Sequence, residues 1–192
     1  MKDLKYGFTL AESLITMGII SIIAMIMMAT IKSGPNPNAA MFRKAYNTLS
    51  TVVSEMVSTE SLYPDGVLYN LDPTAVEIDG ANPSGNTKFC SIFASMVQTV
   101  GDVDCVNNRL TSSTASFITS DGIEWHMSPS DISSYMSIMV DVNGKSGPNC
   151  SNCKKPDRFD FFVSKTGRIS IPSSSANDKA REYLKNYKSV AQ

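Results

Sequence analysis

A chain of 192 residues with 17 Lys and Arg against 18 Asp and Glu carries a formal net charge of −1, so it offers no electrostatic case for a nucleic-acid partner. Its length suits one moderate domain plus an appendage. Hydrophobic residues make up an ordinary 42% of the chain, but many of them sit in the first 31 positions.

Residues 1–7, MKDLKYG, are short and polar and include Lys2 and Lys5; from Phe8 to Ile31 every residue is apolar or small except Glu12. In helical form that run would span about 36 Å, enough for a bilayer core of roughly 30 Å. Lys32 ends it, so the segment reads as a single transmembrane helix. It is a poor secretory signal, because the apolar run is too long and no small-x-small site closes it. Lys2 and Lys5 precede the span, but Lys32, Arg43 and Lys44 follow it, which leaves the positive-inside rule weak here. Glu12 is the anomaly. A carboxylate inside an apolar run costs about 2.5–3.5 kcal/mol on insertion scales. It calls either for lipid headgroups at the interface or for a positive partner in an assembled state.

The stretch GFTLAESLITMGIISIIAMI resembles the leader and methylation segment of type IV pilins and type II secretion pseudopilins. The resemblance covers about the first 31 residues. It implies a filament subunit rather than an enzyme. A prepilin peptidase would cut between Gly7 and Phe8 and methylate the new amine of Phe8. Thr9 and Leu10 continue the usual opening, and Glu12 becomes the fifth residue of the mature chain, where the family has its glutamate. In a filament, Glu12 of one subunit would neutralise the terminal amine of a neighbour, a pair that a low-dielectric core makes expensive to break. Gly18, Ser21, Ala24 and Ala29 would allow close approach of neighbouring segments.

The implied fold class is α+β: a long N-terminal helix, half in the membrane and half packed on the head, against a small antiparallel β-sheet. The implied organisation is a leader over 1–7, a transmembrane and assembly helix over 8–32, and an exported head over 33–192 that begins with an amphipathic helix at about 38–60. The implied partners are copies of the chain and related pilins, the peptidase, inner-membrane assembly machinery and membrane lipid. The implied location is a single pass through the inner membrane with the head outside the cytoplasm, then a periplasmic or surface filament. Surface pilus, secretion pseudopilus and DNA-uptake pilus remain open, although no basic stripe with interleaved aromatics favours the last. The reading from another class is a permanently anchored exported binding or enzymatic domain.

Beyond the span, Ser33-Gly34-Pro35-Asn36-Pro37-Asn38 is a cluster of helix breakers. Asn38 is placed to cap the second helix. Phe42, Ala45, Tyr46, Leu49, Val52, Val53, Met56 and Val57 recur at helical spacing, a stripe suited either to filament contact or, more ordinarily, to the protein's own sheet. Residues 63–86 read as a variable loop. Phe89, Ile92, Phe93, Met96, Val97 and Val100 space as another helix. The pattern then alternates as strands: a hairpin over 117–127 around Ser120-Asp121-Gly122, and strands at 135–140, 159–163 and 168–171. A short tail helix over 176–188 would carry Tyr183, Leu184 and Tyr187 on one side.

Four cysteines in an exported chain suggest disulfides, with three full connectivities open. Local pairing, Cys90 with Cys105 and Cys150 with Cys153, is the first expectation. A four-thiolate zinc site is the alternative, although the first pair is spaced too widely for the usual knuckle. Cys150-Ser151-Asn152-Cys153 also has redox spacing, but its loop of Pro, Asn and Lys suits a structural staple better. Asp141 and Asn143, with Gly144 permitting a sharp turn and Asp157 and Asp160 following, present oxygens suited to calcium; the plainer reading is an Asn-Gly turn between strands. The single histidine, His126, lies in a strand and is expected at or near the surface, with no nucleophile elbow or histidine cluster beside it.

Overall fold

The computed structural model describes Met17 and residues 36–190, with side chains up to Lys185; residues up to Asn36 form a unit separate from the body that begins at Pro37. The body opens with α1, Pro37–Ser58. Proline suits a first helical position, where its missing N–H would be unpaired in any case. No glycine or further proline interrupts the helix, and Phe42, Ala45, Leu49, Val52, Val53 and Met56 are buried along one face. That stripe packs on the protein's own sheet: the Phe42 ring lies 4.6 Å from Phe159, 5.4 Å from Phe161 and 6.0 Å from Tyr183. Asn38 is not the cap. It is the second helical residue, and its amide donates to Pro156 O at 3.0 Å, tying the helix start to a distant loop.

Six strands follow in sheet order β1-β2-β3-β4-β5-β6, all antiparallel: β1 (Thr99–Val100), β2 (Phe117–Thr119), β3 (Glu124–Met127), β4 (Tyr135–Asp141), β5 (Arg158–Ser164) and β6 (Ile169–Ser170). Each strand pairs with its neighbour in sequence, so short turns suffice. One sheet face carries Phe117, Trp125, Met127, Ile138, Val140, Phe159, Phe161 and Val163, all fully buried. Three helices cover it: α1, α2 (Lys88–Met96) and α3 (Asp178–Val190). Phe93 of α2 packs on Trp125 at a tilt, with ring centroids 4.9 Å apart. At the β5–β6 turn, Gly167 has φ +77°, and a Cβ there would sit 3.1 Å from Val53 and Val57 side chains. Only glycine lets this turn close against α1.

The expected fold class is corrected. No helix among the described residues is long and apolar enough to cross a membrane. The helices are short elements of 22, 9 and 13 residues around a six-stranded sheet. There is no described helix that continues from a membrane half into a head-packed half. The reason is local: α1 starts at Pro37 and is amphipathic, with exposed Lys44, Asn47 and Thr51 opposite its buried stripe. The expected span over 8–32 lies outside the described residues, apart from Met17. Two further boundaries differ. The helix expected through Val100 ends at Met96, and the β-branched pair Thr99–Val100 is instead an edge strand. The tail helix runs 178–190, and the Tyr187 side chain lies outside the described ones.

The stretch 63–86 is better tied down than its composition suggests. Lys88 is buried; its ammonium donates to Asp72 O at 2.8 Å and sits 4.3 Å from the Tyr63 ring centroid. Burial pulls its pKa down, although Asp72 opposes the shift. Backbone bonds Thr74 N to Pro83 O and Ile78 N to Ala81 O, with Asn82 donating to Thr74 O, close the rest of the loop.

Candidate functional site

The predicted processing and assembly positions, Gly7, Phe8 and Glu12, lie outside the described residues. The four cysteines pair locally. Cys90–Cys105 joins α2 to the segment before β2 with Cα atoms 5.6 Å apart, and Cys150–Cys153 closes the loop before β5. No free cysteine remains for zinc.

Each candidate calcium carboxylate is engaged by protein partners. Asp141 ends β4 fully buried, and its Oδ2 accepts Arg158 Nε at 2.8 Å. Burial raises its pKa despite that partner, and nearby Asp157 adds to the rise. Asp157 is buried one turn of loop away and accepts the backbone N–H groups of Asn149 at 2.8 Å and Cys150 at 2.7 Å. Asp160 exchanges bonds with Asn177: Nδ2 donates to Oδ2, and the Asp160 N–H donates back to Oδ1, both at 3.2 Å. Asn143 keeps one buried amide oxygen without a partner. A cation, two amides and a carboxamide thus occupy the three carboxylates, and among the described residues no group of three His, Cys, Asp or Glu side chains could hold a metal.

The more unusual constellation lies on the sheet face away from the helices. Strand alternation and register put Ile118, Glu124, His126, Asp141 and Arg158 on that face. It is not open to water, because every residue of β3 is buried. The covering segment runs from Gly101 to Ser116. Asp104 N donates to Ser116 O, and Arg109 N donates to Met127 O at 2.8 Å. The Arg109 guanidinium pairs with Asp104, which also accepts bonds from Asn107. Those bonds, Asn107's first, hold the Asp104 carboxyl well below the usual range.

His126 is therefore fully buried, not near the surface as its strand position suggested. Its Nδ1 lies 3.0 Å from Arg109 O. A carbonyl can only accept, so Nδ1 carries the proton. Burial lowers the His126 pKa, against smaller opposing effects of Arg109 O and Glu124, and keeps the ring neutral. The lone pair on Nε2 then faces Glu124 Oε2 at 3.6 Å, without a hydrogen bond. The hydroxyl of Ser116 is used in pairing strands: it accepts Met127 N at 3.0 Å. Buried and facing a carboxylate, His126 has no approach for substrate.

Above Glu124 a cleft of about 230 Å³ opens between Val100, Ile118, Ala115, Thr114 and Lys145. A larger, shallower groove of about 640 Å³ follows the outward face of α1 past Ala40, Lys44, Thr48 and Thr51 to Met96. Lys44 is anchored there by Asp121 of the β2–β3 turn at 2.9 Å. Glu124, Arg158 and Lys88 were missed from sequence. Alternation in Glu124-Trp125-His126-Met127 does place Glu124 and His126 together, but only the covering segment makes that face an interior. Comparisons with protein-family models, curated proteins and solved structures find no match to this chain.

Proposed function

We propose that the chain is a structural subunit of a filament of the type IV pilus or type II secretion pseudopilus kind. The observation that carries this reading is Glu12: one carboxylate in the otherwise uncharged run from Phe8 to Ile31, five residues beyond Gly7. A charge so placed is relieved by a cationic partner, and cutting after Gly7 creates one at Phe8 of an adjacent copy. Two further observations support it. The body begins at Pro37, within the Ser33-to-Asn38 breaker cluster, and both cysteine pairs are oxidised, as in chains that mature in an oxidising compartment.

On this reading the apolar segment first holds the chain in the membrane and then joins its neighbours, while the body from Pro37 faces outward. The test is mass spectrometry of the mature N-terminus, together with filament assembly by Glu12→Lys. A subunit begins at Phe8, methylated, and the charge reversal abolishes assembly while the head keeps its circular dichroism. A chain that retains Met1 and stays monomeric would instead be a permanently anchored exported domain. Filaments formed normally by Glu12→Lys would remove the proposed charge pairing.

A further inference from the structure

We propose that the cleft over Glu124 binds a primary alkylammonium group, the chemistry of a lysine side chain or of a free aliphatic amine. Glu124 is only 5% exposed, yet its carboxylate receives no hydrogen bond among the described residues; its nearest cationic candidate is His126 Nε2 at 3.6 Å. In the neutral ring that nitrogen accepts and does not donate. Nδ1 already holds the ring proton against Arg109 O at 3.0 Å, and Nε2 is itself buried and unpartnered. Two acceptors therefore face one another in an interior where an unpaired polar group is expensive. A donor from outside would relieve Glu124, and the cleft that Glu124 lines is where it enters.

The shape and lining select the ligand. A volume of about 230 Å³ is below the roughly 300–1,000 Å³ of pockets for drug-sized molecules, and suits a head group with a short stem. Val100, Ala115 and Ile118 form apolar walls for methylenes, while Glu124 and Asp102 disfavour anions. An alcohol would donate one hydrogen bond without neutralising the carboxylate; an ammonium brings three donors and the compensating charge. A guanidinium prefers to fork across both oxygens of a carboxylate. Here Oε2 is turned to His126, and Oε1 lies beside Gly144, where a Cβ would be 3.5 Å away. A point-like ammonium fits that approach better. Lys145 lines the same cleft and carries the same group on this chain.

The test is a chemical-shift titration of the full chain in detergent micelles, with n-butylammonium and its neutral analogue n-butanol. The amides of Thr114, Ala115, Ile118 and Glu124 should shift and saturate with n-butylammonium but not with n-butanol. Glu124→Gln should weaken binding at least tenfold. Thr114→Trp, which fills the mouth without touching the carboxylate, should do the same and decides the matter if Glu124→Gln does not fold. Lys145→Met should bind as well or better. Nα-acetyl-lysine amide separates the sources: equal affinity assigns a protein side chain, and exclusion assigns a free amine. Equal shifts with n-butanol, or an unchanged titration in a folded Glu124→Gln or Thr114→Trp chain, would overturn the site.

Discussion

Replacing Arg158 by Met tests how the sheet's outer face tolerates buried charge. Asp141 is fully buried, and Arg158 Nε donates to it at 2.8 Å. Methionine keeps most of the stem's volume but removes the cation. Breaking one side of a buried pair costs about 3–5 kcal/mol. The Arg158 side chain is 28% exposed, so water can replace part of what is lost, and Asn143 N still donates to Asp141 at 3.4 Å. The expected loss is therefore near the lower end, about 3 kcal/mol at pH 7. With a urea slope of about 2 kcal/mol/M, the midpoint falls by about 1.5 M. The pH dependence is the sharper part. Burial already raises the Asp141 pKa, so the folded state holds this proton more tightly than the unfolded chain. That contribution to stability is present below the ordinary carboxylate value and is lost as pH rises through the raised one. Without Arg158 the rise is larger, so the variant should recover toward wild type on acidification. Adding Asp141→Asn should restore most of the stability at pH 7. A loss below about 1 kcal/mol, equal at pH 7 and pH 5, would refute the argument.

Three further outcomes follow from the same packing. Phe42→Ala empties the junction of α1, β5 and α3, and equilibrium unfolding should show a loss of about 3–5 kcal/mol. A loss below about 1 kcal/mol would mean that the ring contacts do not hold α1 to the sheet. His126 has a lowered pKa, so its stabilising contribution is present above about 6.5 and is lost as pH falls through the folded value. Melting temperatures between pH 7.5 and 5.5 should therefore fall less steeply in His126→Asn, in which Glu124, Asp141 and Arg158 still face the position; parallel slopes would contradict the assigned neutral ring. Replacing Cys90 and Cys105 by Ser opens a link over a separation of 15 residues, and replacing Cys150 and Cys153 one of 3. The chain-entropy relation gives about 3 and about 1.6 kcal/mol, so the first pair of substitutions should lower the unfolding midpoint more. The reverse ranking would mean that the short bridge acts mainly through the native loop.

Amphipathic spacing made α1 legible, because Phe42, Leu49 and Met56 can share a face only in a helix, and that face is the buried one. The turn Ser120-Asp121-Gly122 likewise announced the β2–β3 hairpin, since Gly122 sits at φ +85° where a side chain would be strained. What sequence did not reveal was long-range. Pattern alone ran α2 on to Val100, since Met96 and Val97 keep helical spacing, whereas Thr99–Val100 pairs with β2 through a register set by distant residues. Nor could it show that Gly101–Ser116 folds over β3, which turns Glu124 and His126 from surface positions into an interior pair. The partners of the candidate calcium oxygens were hidden for a similar reason: Asp141, Asp157 and Asp160 are near in sequence, but Arg158, two amides and Asn177 engage them in the fold. The long N-terminal helix was inferred from resemblance, and the described helices are short.

Each cysteine is bonded to the next one along the chain, the first to the second and the third to the fourth. If the chain is exported as proposed, a polypeptide emerging from its N-terminus exposes Cys90 and Cys105 to an oxidant while Cys150 is still to come. Crossed and nested pairings, the other two ways of joining four thiols, would both have to wait for the later pair. Thus the order of emergence itself sorts the thiols, and correct oxidation demands speed from the oxidant rather than repeated reshuffling by an isomerase.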